Sequence, residues 1–277
     1  AGLVEELASL GHAVEDRGDL KPKVHRLPQH QNPAIHHLDE VVAWTAELTD
    51  AAYQAAIDGT PIFLGGDHSL ASGTIPGVAR AAAEKGKPLF VLWLDAHPDF
   101  HTPDTTESGN LHGTPVAYFT GQPGFAPPFP CVTHPVKPEN ICLMGLRSVD
   151  RNEAAAIEAA GINLTDMCAI HEFGVVEPLR KFLSEVKDAN GWLHISLDVD
   201  FIEPAIAPAV GTTVPGGATL REAHLIMEMV ERAGLAHSLD LVELNPTLDE
   251  DGRTAVLLVN LTASLFGCRD RETGISR

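Results

Sequence analysis

The chain has 277 residues, 44% of them hydrophobic, which is enough for one large α/β domain with a substantial core. Its formal net charge of −19 argues against a nucleic-acid partner, because binding phosphates needs a basic face. No apolar run approaches the roughly 18 to 20 residues of a membrane span, so we expect no membrane partner either.

Cysteine usage and the lack of a visible secretory signal predict a cytoplasmic protein. The four cysteines are far apart and form no CxxC pair, which indicates reduced, mostly buried thiols. They are Cys131, Cys142, Cys168 and Cys268. The acidic balance predicts a surface whose field attracts cationic substrates.

The hydrophobic pattern alternates between short apolar strands and amphipathic helices along most of the chain. In chain order it predicts a helix over 2–10, a strand over 12–16, a loop over 21–38, a helix over 39–58, a brief buried strand over 61–64, a helix over 72–85 and a strand over 89–94. Strands at 140–145, 162–165, 192–197 and 238–244 follow, with helices that end near residue 161 and cover 172–189, 219–233 and 254–266. This alternation predicts a single-domain α/β fold with a mainly parallel sheet and helices on both faces.

Residues with metal-ligand chemistry follow the strand at 89–94. Asp95, His97 and Asp99 alternate in the sequence, so an extended backbone would project all three side chains the same way. Pro98 supports that geometry, because a proline favours an extended conformation of the residue before it. The alternative is a loop with scattered polar residues.

The strand at 192–197 ends in the same way, in Asp198 and Asp200. Four aspartates gathered without cations would repel one another and would be costly to desolvate. Because two divalent cations would neutralise all four carboxylates, we predict a metal site. His68 follows a strand and a glycine pair and is a candidate nitrogen ligand, with a merely polar turn residue as the alternative.

A carboxylate-bridged pair of metals suits hydrolysis, because it can lower the pKa of a bound water molecule and present hydroxide to an electrophile. Ligands without thiolate favour Mn²⁺ over structural zinc, and Co²⁺, Zn²⁺ and Mg²⁺ are also compatible. His112, in a glycine-flanked loop, is the candidate for proton transfer, with a solvated loop histidine as the alternative. Glu243 could pair with a planar cation such as guanidinium, or serve as an N-cap or salt-bridge residue.

Three segments together resemble the metal motifs of the ureohydrolase superfamily, the arginases and agmatinases, in order and spacing. They are Gly65-Gly66-Asp67-His68-Ser69, Asp95-Ala96-His97-Pro98-Asp99 and Ser196-Leu197-Asp198-Val199-Asp200. The resemblance covers nearly the whole chain and implies a three-layer α/β/α sandwich with two Mn²⁺ per subunit. It also implies a homo-oligomer, a trimer or hexamer, that hydrolyses a small guanidino substrate to urea.

The same resemblance implies a role for each matching position. One metal would be bound by His68, Asp95, Asp99 and Asp198, and the other by Asp95, His97, Asp198 and Asp200. Asp99 would also take part in catalysis, His112 would shuttle protons, and Glu243 would hold the guanidinium group. Thr212 matches a threonine that lines this pocket.

Within the superfamily, the polar loop that holds Ser108 and Asn110 resembles that of arginases, where it would receive the α-carboxylate of arginine. Asp150 and Glu153 match the pair that addresses the α-amino group. His101 departs from the pattern, because arginases usually carry an asparagine there that helps to hold the carboxylate. A histidine could still donate a hydrogen bond, so we keep His101 among the substrate-binding residues.

The function implied by the resemblance is hydrolysis of L-arginine to L-ornithine and urea, by attack of metal-bridging hydroxide on the guanidinium carbon. The alternative that His101 keeps open is a sister enzyme acting on guanidinobutyrate, agmatine or formiminoglutamate. An inactive arginine-binding or regulatory protein and a zinc-dependent deacetylase are further alternatives. The resemblance also implies that the domain over 1–277 lacks the family's first strand.

Overall fold

The structure, a computed structural model, describes residues 1–267. Its helices are α1 (Leu3–Ser9), α2 (Leu38–Asp58), α3 (Ala71–Glu84), α4 (Pro115–Phe119), α5 (Arg151–Ala160), α6 (Met167–Phe173), α7 (Val176–Asp188), α8 (Leu220–Ala233) and α9 (Arg253–Phe266). Its strands are β1 (Ile62–Leu64), β2 (Leu89–Leu94), β3 (Ile141–Leu146), β4 (Asn163–Asp166), β5 (Trp192–Asp198) and β6 (Ala236–Val242). Most of these elements lie where the hydrophobic pattern predicts them.

The described strands form one parallel sheet in the order β1-β6-β5-β2-β3-β4, which confirms the predicted α/β fold. β2 and β5 lie side by side, with Leu94 opposite Leu197. Because parallel strands end at the same edge of a sheet, the aspartates at the ends of β2 and β5 come together there. β1 pairs with β6, with Leu64 opposite Leu241, so the residues that follow these two strands are also neighbours.

Helices cover both faces of this sheet and complete a three-layer sandwich. Along β2, Leu92 and Leu94 point into an apolar cluster with residues of α7, α8 and α9, whereas Val91 and Trp93 point into a second cluster with α3 and α5. All of β2 is buried, which explains why its sequence is a continuous apolar run. Within residues 1–267, no helix combines the length and apolar character that crossing a membrane requires.

Three local predictions are wrong. Residues 12–16 are mostly exposed and do not join the sheet, because a strand needs a neighbour for its backbone hydrogen bonds and an apolar pattern cannot supply one. The helix predicted over 172–189 is two helices, α6 and α7, since Gly174 adopts a φ of 79° where α6 ends. β1 lies at an edge of the described sheet, so Leu64 is 66% exposed rather than buried.

The cysteines within the described residues are free thiols, as predicted, but most of them are not buried. Cys142 is buried in β3, whereas Cys131 and Cys168 are exposed. Cys131 lies in a proline-rich segment between α4 and β3, and Cys168 lies on α6, so neither reaches the core. Cys268 lies outside the described residues.

Candidate active site

The carboxyl edge of the sheet gathers the six residues predicted as metal ligands. All except His97 are buried. Burying a carboxylate is costly unless a counter-charge is present, so this concentration of carboxylates at one edge indicates a cation site. His68 follows β1, Asp95, His97 and Asp99 follow β2, and Asp198 and Asp200 lie at the end of β5.

One group of ligand atoms surrounds the imidazole of His68. Its Nδ1 atom lies 2.9 Å from Asp95 Oδ2, 3.2 Å from Asp198 Oδ2 and 3.4 Å from Asp99 Oδ2. His68 Nδ1 and Asp95 Oδ2 are both buried. Neither atom has a hydrogen-bond partner of suitable geometry within the described residues. One nitrogen and three carboxylate oxygens therefore face a common point, as the ligands of a cation do.

A second group surrounds His97. Its Nδ1 atom lies 2.9 Å from Asp200 Oδ2 and 3.5 Å from Asp95 Oδ1. Asp95 therefore offers one carboxylate oxygen to each group. The ligand atoms of His68, Asp95 and Asp99 lie within 4.8 Å of one another, and so do those of Asp95, His97 and Asp200. Asp198, in the first group, also accepts the Asp200 N–H at 2.7 Å with its Oδ1 atom. The donor set fits two cations that share a bridging carboxylate.

The charge balance of the cluster also fits bound cations. Burial raises the pKa of Asp99 and Asp198 well above the usual value, and the charge of Asp95 raises both further. Burial acts on the pKa of Asp95 in the same direction, but hydrogen bonds and charges of His68 and His97 outweigh it and lower that pKa. The four carboxylates of the cluster compete for two imidazoles, and divalent cations would supply the missing positive charge.

Asp99 reaches the cluster through a turn rather than an extended chain. Its φ of 49° lies in the left-handed region, which costs a non-glycine residue about 1–3 kcal/mol unless the surroundings hold it. The Phe100 N–H donates to Glu153 Oε1 at 2.8 Å, and the Val116 N–H donates to the Asp99 carbonyl at 3.0 Å. The extended geometry expected through Asp99 is therefore wrong, because tertiary hydrogen bonds bend the chain there.

Glu243 is positioned in a similar way. β6 ends at Val242, and Glu243 adopts a φ of 66° that turns its side chain towards the cluster. Its N–H donates to the Gly66 carbonyl at 2.7 Å, and its Oε1 accepts the His68 N–H at 2.8 Å. Burial raises the pKa of this carboxyl group. The backbone that carries His68 and the carboxylate of Glu243 therefore hold each other in place.

A cleft of about 250 Å³ leads to these residues. It is lined by every residue predicted for the site except Asp95, which is fully buried behind the others. His112 lies in the short turn Leu111–Gly113, and it faces the cleft together with Thr212 and Glu243. The structure therefore brings the predicted metal ligands and the predicted substrate-binding residues into one cavity.

The loop with Ser108 and Asn110 lines the same cleft and packs against an N-terminal segment. Gly109 between them has a φ of 73°, and a Cβ atom there would lie 1.7 Å from the carbonyl oxygen of Ala34. The His36 N–H donates to the Gly109 carbonyl at 3.0 Å. Only glycine fits this close approach, so the Ser-Gly-Asn sequence fixes the position of both polar side chains.

His101, Asp150 and Glu153 form a separate polar group in the cleft. His101 Nε2 lies 2.7 Å from Asp150 Oδ2 and 3.7 Å from Glu153 Oε2. The hydrogen bond from the Glu153 N–H lowers the pKa of Asp150, whereas burial raises the pKa of Glu153. These groups offer carboxylate oxygens to a cationic part of a ligand.

Sequence reasoning missed three residues that hold the candidate ligands in place. Ser196 Oγ lies 2.8 Å from His68 Nε2, and the Trp93 ring stacks on His68 with a centroid distance of 3.9 Å. The guanidinium of Arg147 donates to the carbonyl oxygen of Asp200. Ser196 and Trp93 each lie two residues before a candidate ligand at the end of the same strand, which is a usable signal, whereas Arg147 acts from another part of the chain.

A parallel α/β sheet with two carboxylate–imidazole groups in a cleft at its carboxyl edge defines a class of protein, the metal-dependent hydrolases. The model of the Arginase family matches residues 4–267, and the chain belongs to this family of hydrolases.

Relatives of known name and structure agree with this assignment. The chain is 58% identical over 275 residues to the arginase of Brucella melitensis biotype 1, covering 99% of this chain and 90% of that one. It is 56% identical to the arginase of Agrobacterium fabrum, covering 99% and 85% of the two chains. The structure of the arginase from Bacillus caldovelox superposes with a TM-score of 0.84 at 38% identity, covering 96% of this chain and 89% of that one. These matches confirm the resemblance and the fold.

Proposed function

We propose that the protein hydrolyses the guanidino group of L-arginine to give L-ornithine and urea, with two divalent cations in its active site. The observation that carries this proposal is the single cleft that joins the carboxylate–imidazole cluster to a loop of neutral polar residues and a pair of acidic residues. A guanidino group, a carboxylate and an ammonium group lie on one arginine molecule, so a site for each within one cavity suits that substrate.

The metal ions would be bound by the sets that the resemblance implies. His68, Asp95, Asp99 and Asp198 would hold one ion, and Asp95, His97, Asp198 and Asp200 the other. The bound cations would supply a water molecule of lowered pKa as the nucleophile. Oxygen-rich ligand sets without thiolate suit Mn²⁺, and the proposal is therefore a manganese pair.

Glu243 would orient the guanidinium group. A carboxylate matches a planar guanidinium with two parallel hydrogen bonds, and Glu243 lines the cleft next to His68. The backbone bonds that hold Glu243 leave little freedom for the side chain, so the substrate carbon would be held at a fixed distance from the cluster. Thr212, on the same cleft, would complete this end of the pocket.

His112 would transfer a proton to the departing amine. Its imidazole lines the cleft and is half-buried, so it can exchange protons with both the reacting group and solvent. An imidazole can accept a proton at one ring nitrogen and release one from the other, which suits a group that must both take up and release a proton in each turnover. Asp99 would contribute to the reaction as a carboxylate that accepts a proton or a hydrogen bond from the nucleophile.

The remaining cleft residues would bind the amino-acid end of the substrate. Ser108 and Asn110 would donate hydrogen bonds to the α-carboxylate, and Asp150 and Glu153 would accept from the α-ammonium group. Their positions in the same cleft as the cluster support this assignment. A cytoplasmic location and a trimeric or hexameric assembly stay predictions of the sequence.

A substrate panel tests the proposal. Purified protein loaded with Mn²⁺ should release urea from L-arginine with a kcat/KM at least about tenfold above that for agmatine, 4-guanidinobutyrate or formiminoglutamate, which corresponds to about 1.4 kcal/mol of discrimination. Asp95→Ala should abolish urea release, and Asp19→Ala, at an exposed aspartate in the N-terminal segment, should not. Preference for another substrate would identify a sister enzyme, and binding of arginine without turnover would identify an inactive binding protein.

A further inference from the structure

The imidazole of His101 lies between the two carboxylates proposed to bind the substrate's α-ammonium group. Its Nε2 atom is 2.7 Å from Asp150 Oδ2 and 3.7 Å from Glu153 Oε2. An ammonium nitrogen that binds a carboxylate oxygen lies about 2.7–2.9 Å from it. The ring nitrogen therefore stands close to the point that a substrate nitrogen shared by these two oxygens would occupy.

The other oxygens of both carboxylates are already used by the backbone. Asp150 Oδ1 accepts the N–H groups of Asn152 and Glu153 at 2.9 Å each, and so caps α5. Glu153 Oε1 accepts the Phe100 N–H at 2.8 Å. Asp150 Oδ2 and Glu153 Oε2 are the oxygens left for a ligand, and these are the two oxygens that His101 approaches.

The ring of His101 is held in this position from its other side. Its Nδ1 atom lies 3.3 Å from the hydroxyl oxygen of Thr105. A neutral imidazole can donate from Nε2 to Asp150 and accept from Thr105 at Nδ1, so both ring nitrogens have partners without a change of charge. The free enzyme therefore has a satisfied side chain where the substrate's amine is to bind.

We propose that His101 is a specificity-determining residue that acts as an internal substitute for the α-ammonium group and must be displaced before an amine-bearing substrate binds. This inference rests on the proposed function, because it assumes that Asp150 and Glu153 receive the amine. The contact with Asp150 places His101 at the amine end of the site. The asparagine of the family pattern, by contrast, would hold the carboxylate.

Displacing the ring costs binding energy only when the ligand carries the amine. Three guanidino compounds separate the groups: L-arginine has an amine and a carboxylate, agmatine has only the amine, and 5-guanidinovalerate has only the carboxylate. In His101→Ala no side chain reaches either carboxylate, and no group that could bind the substrate's carboxylate is added. The KM for L-arginine and for agmatine should then fall by about three- to tenfold, with the KM for 5-guanidinovalerate unchanged.

Three results would overturn the proposal. Equal changes for all three compounds would mean that the ring affects the guanidino end or the metals. A loss confined to L-arginine and 5-guanidinovalerate would mean that His101 reads the carboxylate. A higher KM for L-arginine and agmatine would mean that the ring positions Asp150 for the amine instead of competing with it.

Controls separate this test from the metal site and from the proposed function. The metal content of His101→Ala should equal that of the wild type, and His134→Ala, at an exposed histidine outside the cleft, should leave all three KM values unchanged. If the wild type turns over none of the compounds, the proposed function fails. Calorimetry with L-ornithine and 5-aminovalerate then still tests the competition, because His101→Ala should tighten binding of L-ornithine alone.

Discussion

At the scale of single residues, Asp198 shows how the proposed site would depend on bound cations. Without metal, burial and the charge of Asp95 hold the pKa of Asp198 well above its usual value. A carboxyl group whose pKa is higher in the folded state than in the unfolded state weakens folding as the pH rises above the unfolded value. The metal-free protein should therefore lose stability through Asp198 as the pH rises from about 4 towards neutrality.

Asp198→Asn should remove this effect. We expect the Tm of the metal-free variant at pH 7 to exceed that of the metal-free wild type and to depend less on pH, because the amide carries no charge. Mn²⁺ at 100 times its Kd should stabilise the wild type by about 2.7 kcal/mol for each ion bound, and the variant by much less.

Thermal unfolding with and without Mn²⁺ measures both effects. Asp19→Asn, at an exposed position, is the matched control and should follow the wild type in both conditions. A metal-free Asp198→Asn protein that melts below the metal-free wild type would show that the carboxylate is not under electrostatic strain.

Single residues also mark where sequence reasoning ends. The candidate metal ligands could be selected from the sequence because aspartate and histidine alternate at the ends of apolar strands, and that pattern is local. The left-handed turns at Asp99 and Glu243 could not be predicted in this way, because they depend on hydrogen bonds to Glu153 and Gly66 from distant parts of the chain. The contact of His101 with Asp150 is equally invisible in the sequence.

At the scale of elements, the buried central strands carry the clearest sequence signal and the loops the weakest. The sequences of β2 and β5 are mostly apolar because both faces of these strands are covered. The sequence therefore predicts where both strands end. Residues 12–16 are mostly polar and have no place in the sheet. The sequence of the loop around Gly109 contains a motif but does not predict the conformation of the loop. The close approach of Gly109 to Ala34 decides where the side chains of the loop lie.

Gly109→Ala tests that loop. An added Cβ would meet the Ala34 carbonyl at 1.7 Å, so the loop must shift and carry Ser108 and Asn110 with it. We expect kcat/KM for L-arginine to fall by about tenfold or more, mainly through KM, with the metal content unchanged.

Steady-state kinetics with elemental analysis checks this prediction. Gly59→Ala is the control, because Gly59 has an extended backbone and a Cβ there meets nothing within 4 Å. Unaltered kinetics in Gly109→Ala would show that the loop does not bind the substrate.

At the scale of the whole molecule, the carboxyl edge of the sheet and the negative net charge both suit the proposed hydrolysis of a cationic substrate. The parallel order places the ends of β1, β6, β5 and β2 next to each other, so ligands from distant segments meet without a dedicated domain. The net charge of −19 produces a field that favours both divalent cations and a cationic substrate. The fold, the cluster and the charge therefore support one activity.

The number of metal ions per chain tests this account most directly. Metal-free protein is titrated with Mn²⁺, and bound metal and urea release from L-arginine are followed on the same samples. The protein should bind two ions per chain and reach full activity only when both are present. Full activity at one ion per chain, or in protein stripped of metal, would contradict it.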